Sequence, residues 1–404
     1  MRRAGASLKN SIGLSSATAR VELLDALRGF ALMGLFLVHS VEMYETFWSH
    51  PDYGAVFQWT FGLFSGKAYA LMALCFGVSF YLIMQGAARR GQDFRLRFAW
   101  RLTLLIGIGL LHTIFYRGDI LQILALLGFS MLLLDRIRSN RVLLVLAAVC
   151  FLEVPLLLRA WLAAKGVGWA AAQPLYYNDP GMAALTHGTL VEVVRANFGS
   201  MLTMNWDYSV ESGRIVQMLG LFMAGLVLGR VGFFTGPDRF KLQRRVILAA
   251  AIVLAVPLYF YGSDTINSLV PDGPIRQNLG AAVEKWTGLA VAVAELLLFV
   301  ELFQSAARPL AGLFAAPGRM TLTLYVGQSV FFAPIYYGYG LGLYDDLRPW
   351  QCLFIGAVSF ALQIAIAHLW FRRFYYGPLE WLWRAATRTS FDIPFLRQPM
   401  PAAA

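Results

Sequence analysis

Two runs in this chain, Val246 to Gly262 and Trp286 to Phe303, approach the roughly 20 apolar residues that one bilayer crossing requires. Runs of similar character recur along 404 residues, of which 58% are hydrophobic and only 14% charged. That balance lies outside soluble globular usage and predicts one polytopic membrane domain rather than several soluble ones.

Apolar runs bounded by polar turns predict an all-α transmembrane bundle of about ten helices, near residues 23–44, 66–86, 99–116, 120–135, 142–161, 214–233, 246–262, 285–305, 319–338 and 350–371. The formal net charge of +11 does not predict a nucleic-acid partner, because Lys and Arg recur in short clusters between the apolar runs. They read as topology signals. Arg2, Arg3, Lys9 and Arg20 precede helix one, Arg89, Arg90, Arg95 and Arg97 follow helix two, and Arg136, Arg138 and Arg141 follow helix four. Arg239, Lys241, Arg244 and Arg245 follow helix six, and Arg372, Arg373, Arg384, Arg388 and Arg397 lie in the tail, whereas residues 45–53 hold no Lys or Arg. Both termini are therefore expected in the cytoplasm of a cell whose inner membrane holds the chain. The expected division is a cytoplasmic segment 1–22, a transmembrane domain 23–371 with an external segment 162–213, and a cytoplasmic tail 372–404. That external segment contains Trp206, Asp207, Tyr208 and the turn signal Asn178-Asp179-Pro180-Gly181, and is placed to cap a site from outside.

Other signals are weaker. Arg2 and Arg3 mimic the start of a signal peptide, but the apolar run begins only near Leu23 and contains Asp25 and Arg28, so it reads as a retained helix. Cys75, Cys150 and Cys352 lie in apolar runs without CxxC or Cys/His spacing, which indicates neither a disulfide framework nor a metal site. No internal repeat supports an inverted-repeat transporter.

Charges inside a span cost at least ~2.5 kcal/mol on insertion scales, so those present face a cavity or a partner. They are Asp25, Arg28, His39, Lys67, Arg101, His112, Glu153 and Glu295. Arg28 and His39 enclose ten residues and so share a helix face about 16 Å apart, with Asp25 on that face too. Arg101 and His112 repeat the offset on helix three, with Arg97 one turn before Arg101. Plainer readings exist for each. Arg28 and Lys67 could snorkel to an interface and His39 could hydrogen-bond a neighbouring helix. His112, Arg117 and Asp119 could form an external hairpin held by an Arg–Asp pair. For Glu153, Glu295 and His368 the structural reading is favoured. Tyr336, Tyr337 and Tyr339, with Trp381 and Trp383, read as interfacial anchors, and Gly225 with Gly229 as a packing GxxxG.

The run Leu24-Asp25-Ala26-Leu27-Arg28-Gly29-Phe30-Ala31 resembles the helix-one signature of the YeiB family, also called domain of unknown function 418. Ser65 to Leu71, His112 to Leu121, Gly318 to Tyr325 and Gly377 to Arg384 are similar to further motifs of that family, in order, across nearly the whole chain. Its members have been described loosely as transport-related. The family is grouped with heparan-glucosaminide acetyltransferases and acyltransferase family 3 proteins in a transmembrane acyltransferase superfamily, which implies acyl-CoA use and acylation across a membrane. In acyltransferase family 3 an arginine, ten residues and a histidine mark helix one, the spacing of Arg28 and His39, although many YeiB relatives look to carry asparagine at the His39 position.

The expectation is an acyltransferase moving an acyl group, expected to be acetyl, from cytoplasmic acyl-CoA to an acceptor at the outer side of the membrane, with no metal. The acceptor could be a glycan, a lipid or a small molecule. His39 is expected as base or acyl carrier, because an imidazole titrates near working pH. Arg28 and Asp25 would orient the donor or balance charge, and His112 with Asp119 would line the acceptor end. Arg97 and Arg101 would grip CoA phosphates as permanently charged, bidentate donors, a role the resemblance also favours for basic residues at the start of helix three. Lys67 is a further candidate phosphate contact. The bilayer is the expected surrounding, and homo-oligomerisation is left open. The alternatives are a transporter of a small polar metabolite that uses the same charges, and a non-catalytic scaffold.

Overall fold

The computed structural model describes residues 4–177 and 179–397, with the backbone alone described for residues 4–21 and 177. Arg2, Arg3 and Asn178, the last part of the expected turn signal, lie outside the described residues. Among the described residues the fold is all-helical, with a single isolated bridge between Phe374 and Leu396. The first half comprises α1 (Ala4–Val41), α2 (Ala55–Phe64), α3 (Lys67–Ala88), α4 (Arg95–His112), α5 (Leu121–Gly128), α6 (Ser130–Leu134), α7 (Asn140–Phe151) and α8 (Val154–Ala164). Short helices α9 (Met182–His187), α10 (Leu190–Met201) and α11 (Tyr208–Glu211) fill the stretch expected to lie outside. The second half holds α12 (Arg214–Val231), α13 (Lys241–Leu269), α14 (Pro274–Phe303), α15 (Arg308–Gly312), α16 (Ala315–Arg319), α17 (Thr321–Tyr336), α18 (Pro349–Arg373) and α19 (Pro378–Arg388).

Each of the ten expected stretches falls largely on helix, and seven helical stretches among the described residues are long and apolar enough to cross a membrane. Burial ranks them. In the stretch Glu22–Ser49, which contains the end of α1, 67% of the apolar window is buried, against 11% for Pro237–Leu269, which contains α13. The first helix is therefore the packed centre, and α13 presents Val253, Leu254 and Phe260 outward as a lipid-facing helix would. The chain is a multi-pass membrane protein.

Two local features depart from the expected pattern. The span expected at 142–161 is broken between α7 and α8, where Glu153 takes a left-handed conformation (φ 54°). Pro155 explains the break, since it has no N–H to continue the α7 ladder and its ring crowds the preceding turn. Tyr336 and Tyr337 are fully buried rather than interfacial, and the Tyr337 hydroxyl donates to the Tyr44 carbonyl at 2.9 Å.

Close backbone approach sets the relation of α1 to its neighbours. A Cβ at Gly318 would stand 1.7 Å from the Asp25 carbonyl, and one at Gly29 would stand 2.0 Å from the Phe314 carbonyl. Only glycine permits α16 to lie against α1 in this way. The expected glycine packing of Gly225 also occurs, where α12 crosses α3 at Gly77. Tyr69 bonds Gln217 near the start of this crossing and Tyr81 meets Gly229 near its end, so α3 and α12 run parallel.

Candidate functional site

The charged and aromatic groups collect at two levels of the bundle, one around Arg28 and one around His39. At the first, Arg28 donates to Asp25 at 3.4 Å and also bonds the Ser79 hydroxyl of α3. Arg319 of α16 faces the same aspartate. Arg101 stacks on the Trp383 ring with its guanidinium carbon 3.5 Å from the centroid, and the Trp383 indole donates back to the Arg101 carbonyl at 2.9 Å. Arg28 and Arg384 are the cations closest to Arg101 in electrostatic effect. Trp383 therefore holds an arginine in place rather than anchoring at an interface. Arg97 is exposed one turn earlier on α4.

At the second level, the His39 Nδ1 lies 3.1 Å from the Tyr116 hydroxyl and 3.6 Å from the Glu42 carboxylate. Its Nε2 is thereby left for another partner. The His112 Nδ1 lies 2.9 Å from Asp119, and both side chains are fully buried. A carboxylate at that nitrogen favours the tautomer with Nδ1–H, so Nε2 carries the free lone pair, and that atom has no partner in its buried position. Asp119 is itself fixed by the Gln122 amide N–H at 3.1 Å, and its backbone carbonyl accepts from Asn205 at 2.7 Å. The rings of Tyr116 and Tyr325 stand 6.2 and 5.1 Å from that of His112. Tyr116 thus touches the neighbourhoods of both histidines, which come from different helices.

The turn after α1 holds this arrangement together. Met43, Tyr44 and Glu45 have φ of 50°, 51° and 81°, a region that side chains other than glycine seldom occupy. Glu45 accepts from Arg117 Nε at 2.6 Å, while the Arg117 terminal nitrogens grip Asp179 at 2.7 and 2.5 Å and Ser200 at 3.1 Å. Burial works against the Arg117 charge, but Glu45 and Asp179 outweigh it and hold the guanidinium above its ordinary range. The expected Arg117–Asp119 hairpin pair does not form, because Asp119 turns inward to His112 and Arg117 reaches the helical cap instead.

The eight candidates thus separate. His39, His112 and Asp119 gather about Tyr116, Asp25 and Arg28 pair at the other level, Arg101 stands beside them, and Arg97 lies exposed one turn from Arg101. Lys67 joins neither group. It is buried at the start of α3, donates to the Phe61 carbonyl at 3.2 Å, and faces Glu284 and Glu295. Tyr116, Glu45 and Asp179 were not expected at the site. Of these, only Asp179 had a local signal, as part of the turn in the segment expected to cap a site.

Comparison with known proteins assigns the two halves separately. Residues 20–187, which hold His39, His112, Asp119 and Arg28, match the description "Heparan-alpha-glucosaminide N-acetyltransferase, catalytic". Residues 228–390 match "Protein of unknown function (DUF418)". The protein YxaH of Bacillus subtilis (strain 168) is 28% identical over 399 residues, covering 92% of this chain and 95% of its own. A 39.9 kDa protein of Bacillus acidopullulyticus is 24% identical, covering 91% and 94% respectively. YeiB of Escherichia coli (strain K12) is 26% identical, covering 90% and 95%. Both matched segments in one chain, with relatives aligned along nearly all of it, are consistent with the YeiB family and with a superfamily of acyltransferases that resemble heparan-alpha-glucosaminide N-acetyltransferase.

Proposed function

We propose that this protein transfers an acyl group, acetyl in the simplest case, from cytoplasmic acyl-CoA to an acceptor at the outer side of the inner membrane. The observation that carries the reading is the meeting of two histidines at Tyr116, one of them locked by a carboxylate, inside the segment that resembles an acetyltransferase catalytic domain. His39 is the base, since its side chain is 16% exposed whereas that of His112 is closed off. The acceptor oxygen or nitrogen bonds the acyl carbonyl carbon, the carbon–sulfur bond breaks, and the proton passes through His39 to the departing CoA thiolate. His112, closed off and held by Asp119, packs beside Tyr116 and positions the hydroxyl that meets His39. Arg101, with Arg28 and Arg384 near it, and Arg97 at the rim hold the phosphates of CoA.

Two measurements test this. His39→Ala is expected to abolish acetyl-CoA-dependent acylation while the melting temperature in detergent stays within a few degrees of the parent. Retained acylation would remove His39 from the chemistry. Acetyl-CoA is expected to raise the melting temperature of the parent, by the linkage of binding to stability, and to lose that effect in the Arg97→Ala, Arg101→Ala double variant. A transporter of small metabolites would show no such shift in either protein.

A further inference from the structure

A second group of charges, Arg214 and the buried Lys285, has no part in the acyl-transfer scheme above. Arg214, the first residue of α12, lies between two aromatic rings, its guanidinium carbon 4.6 Å from the Tyr69 centroid and 4.7 Å from that of Tyr208. Lys285 of α14, 5% exposed, faces Arg214, Tyr69 and Tyr208. Gln217 ties the pieces together, accepting from the Tyr69 hydroxyl and donating to the Lys285 carbonyl at 3.0 Å. Tyr208 comes from the helical cap, so the group is closed on the side of that segment.

Its cations lack a carboxylate at close range. Among the described residues neither Arg214 nor Lys285 has a carboxylate within 4.0 Å, and the Arg214 Nε is buried without a partner. Two carboxylates act from further away: Glu153 faces Lys285 with both oxygens unpartnered, and the exposed Glu284 faces both cations. A cation in a low-dielectric interior is ordinarily paired with a carboxylate at close range. The stacking on tyrosine faces offsets part of the cost for Arg214, and its buried Nε still has no partner. Arg214 also faces Tyr116, whose hydroxyl contacts His39.

We infer that Arg214 and Lys285 bind the oxyanion of the acyl acceptor, a carboxylate or phosphate carried by the molecule whose hydroxyl or amine reaches His39. The acceptor is accordingly an acidic compound. This rests on the acyltransfer reading for the word acceptor, but the anion site stands or falls by itself. The purified full-length protein in detergent is titrated with inorganic phosphate and with succinate at constant ionic strength against chloride. One of the two is expected to give a saturable rise in melting temperature, which names the oxyanion, and the rise is expected to vanish in Arg214→Gln and in Lys285→Met. The acetyl-CoA shift should persist in both variants. No saturable rise with either anion, or an equal rise in the variants, overturns the site. Loss of the acetyl-CoA shift together with the anion shift would assign the pair to the donor and overturn the acceptor role. Amine labelling of the parent protein, read by mass spectrometry, needs no variant. The effective anion is expected to slow labelling of Lys285, and unchanged labelling at saturating anion overturns its part in the site. Failure of acetyl-CoA to bind the parent would defeat the acyltransfer reading while leaving the anion result untouched.

Discussion

Three consecutive residues in left-handed backbone, Met43 to Glu45, cost of order 1–3 kcal/mol each and persist only where the surroundings over-determine them. Here the determining contacts are the Arg117–Glu45 pair and the bond from Tyr337 to the Tyr44 carbonyl. Arg117→Met should therefore do more than remove a surface ion pair, because it leaves Glu45 and Asp179 facing one another in a closed site. Breaking a buried pair in this way typically costs about 3–5 kcal/mol. A clear fall in melting temperature in detergent is expected, with loss of acylation as Tyr44 and Glu45 release the His39 end of α1. An unchanged melting temperature would show that the turn is held by packing alone. The sequence made His39 and His112 visible because buried charge at helical spacing is rare. It hid the partners of Arg117, which lie 72 and 62 positions away along the chain, and it hid Tyr116, which reads like any tyrosine near a helix end.

At the scale of elements, hydropathy located every long helix, since a lipid-facing surface leaves little choice of residue. It did not anticipate that motifs far apart in sequence clasp one another. The carboxylate of Glu380 in α19 accepts from the backbone N–H groups of Leu322 and Thr323, at 2.7 and 3.1 Å, and from the Thr323 hydroxyl at 2.5 Å. It thereby caps the start of α17, whose preceding residue Met320 has no side-chain oxygen to do so. Burial pushes the Glu380 carboxyl above its usual range against these three donors. Gly318, in the same motif, carries the contact with Asp25 and Gly29. Three of the five motifs that carry the family resemblance are thus one junction that sets the position of Arg28. The stretch expected as a cytoplasmic tail holds the helix that performs this capping and positions Arg101 through Trp383. Long-range capping of this kind leaves no periodic trace, which is why sequence reading gave the tail no structural part.

For the whole molecule the decisive question is which end faces the cytoplasm, because the proposed donor and acceptor levels lie at opposite ends of α1 and α3. The 22 residues of α3 rise ~33 Å, about the thickness of the hydrocarbon core, so His50 before the α2–α3 unit and Gln92 after it emerge at opposite surfaces. Both are exposed. The charge pattern argues for Gln92 inside, where Arg89, Arg90, Arg95 and Arg97 cluster, and for His50 outside, in a segment without Lys or Arg. Donor arginines would then meet CoA where CoA is found, and the pair of histidines would lie toward the far side. With Cys75, Cys150 and Cys352 replaced by alanine, His50→Cys should react with a membrane-impermeant maleimide in intact cells, whereas Gln92→Cys should react only after the membrane is opened. The reverse pattern would put His39 beside the cytoplasm and Arg101 away from it, and a CoA-dependent enzyme acylating an outer acceptor could not work in that orientation.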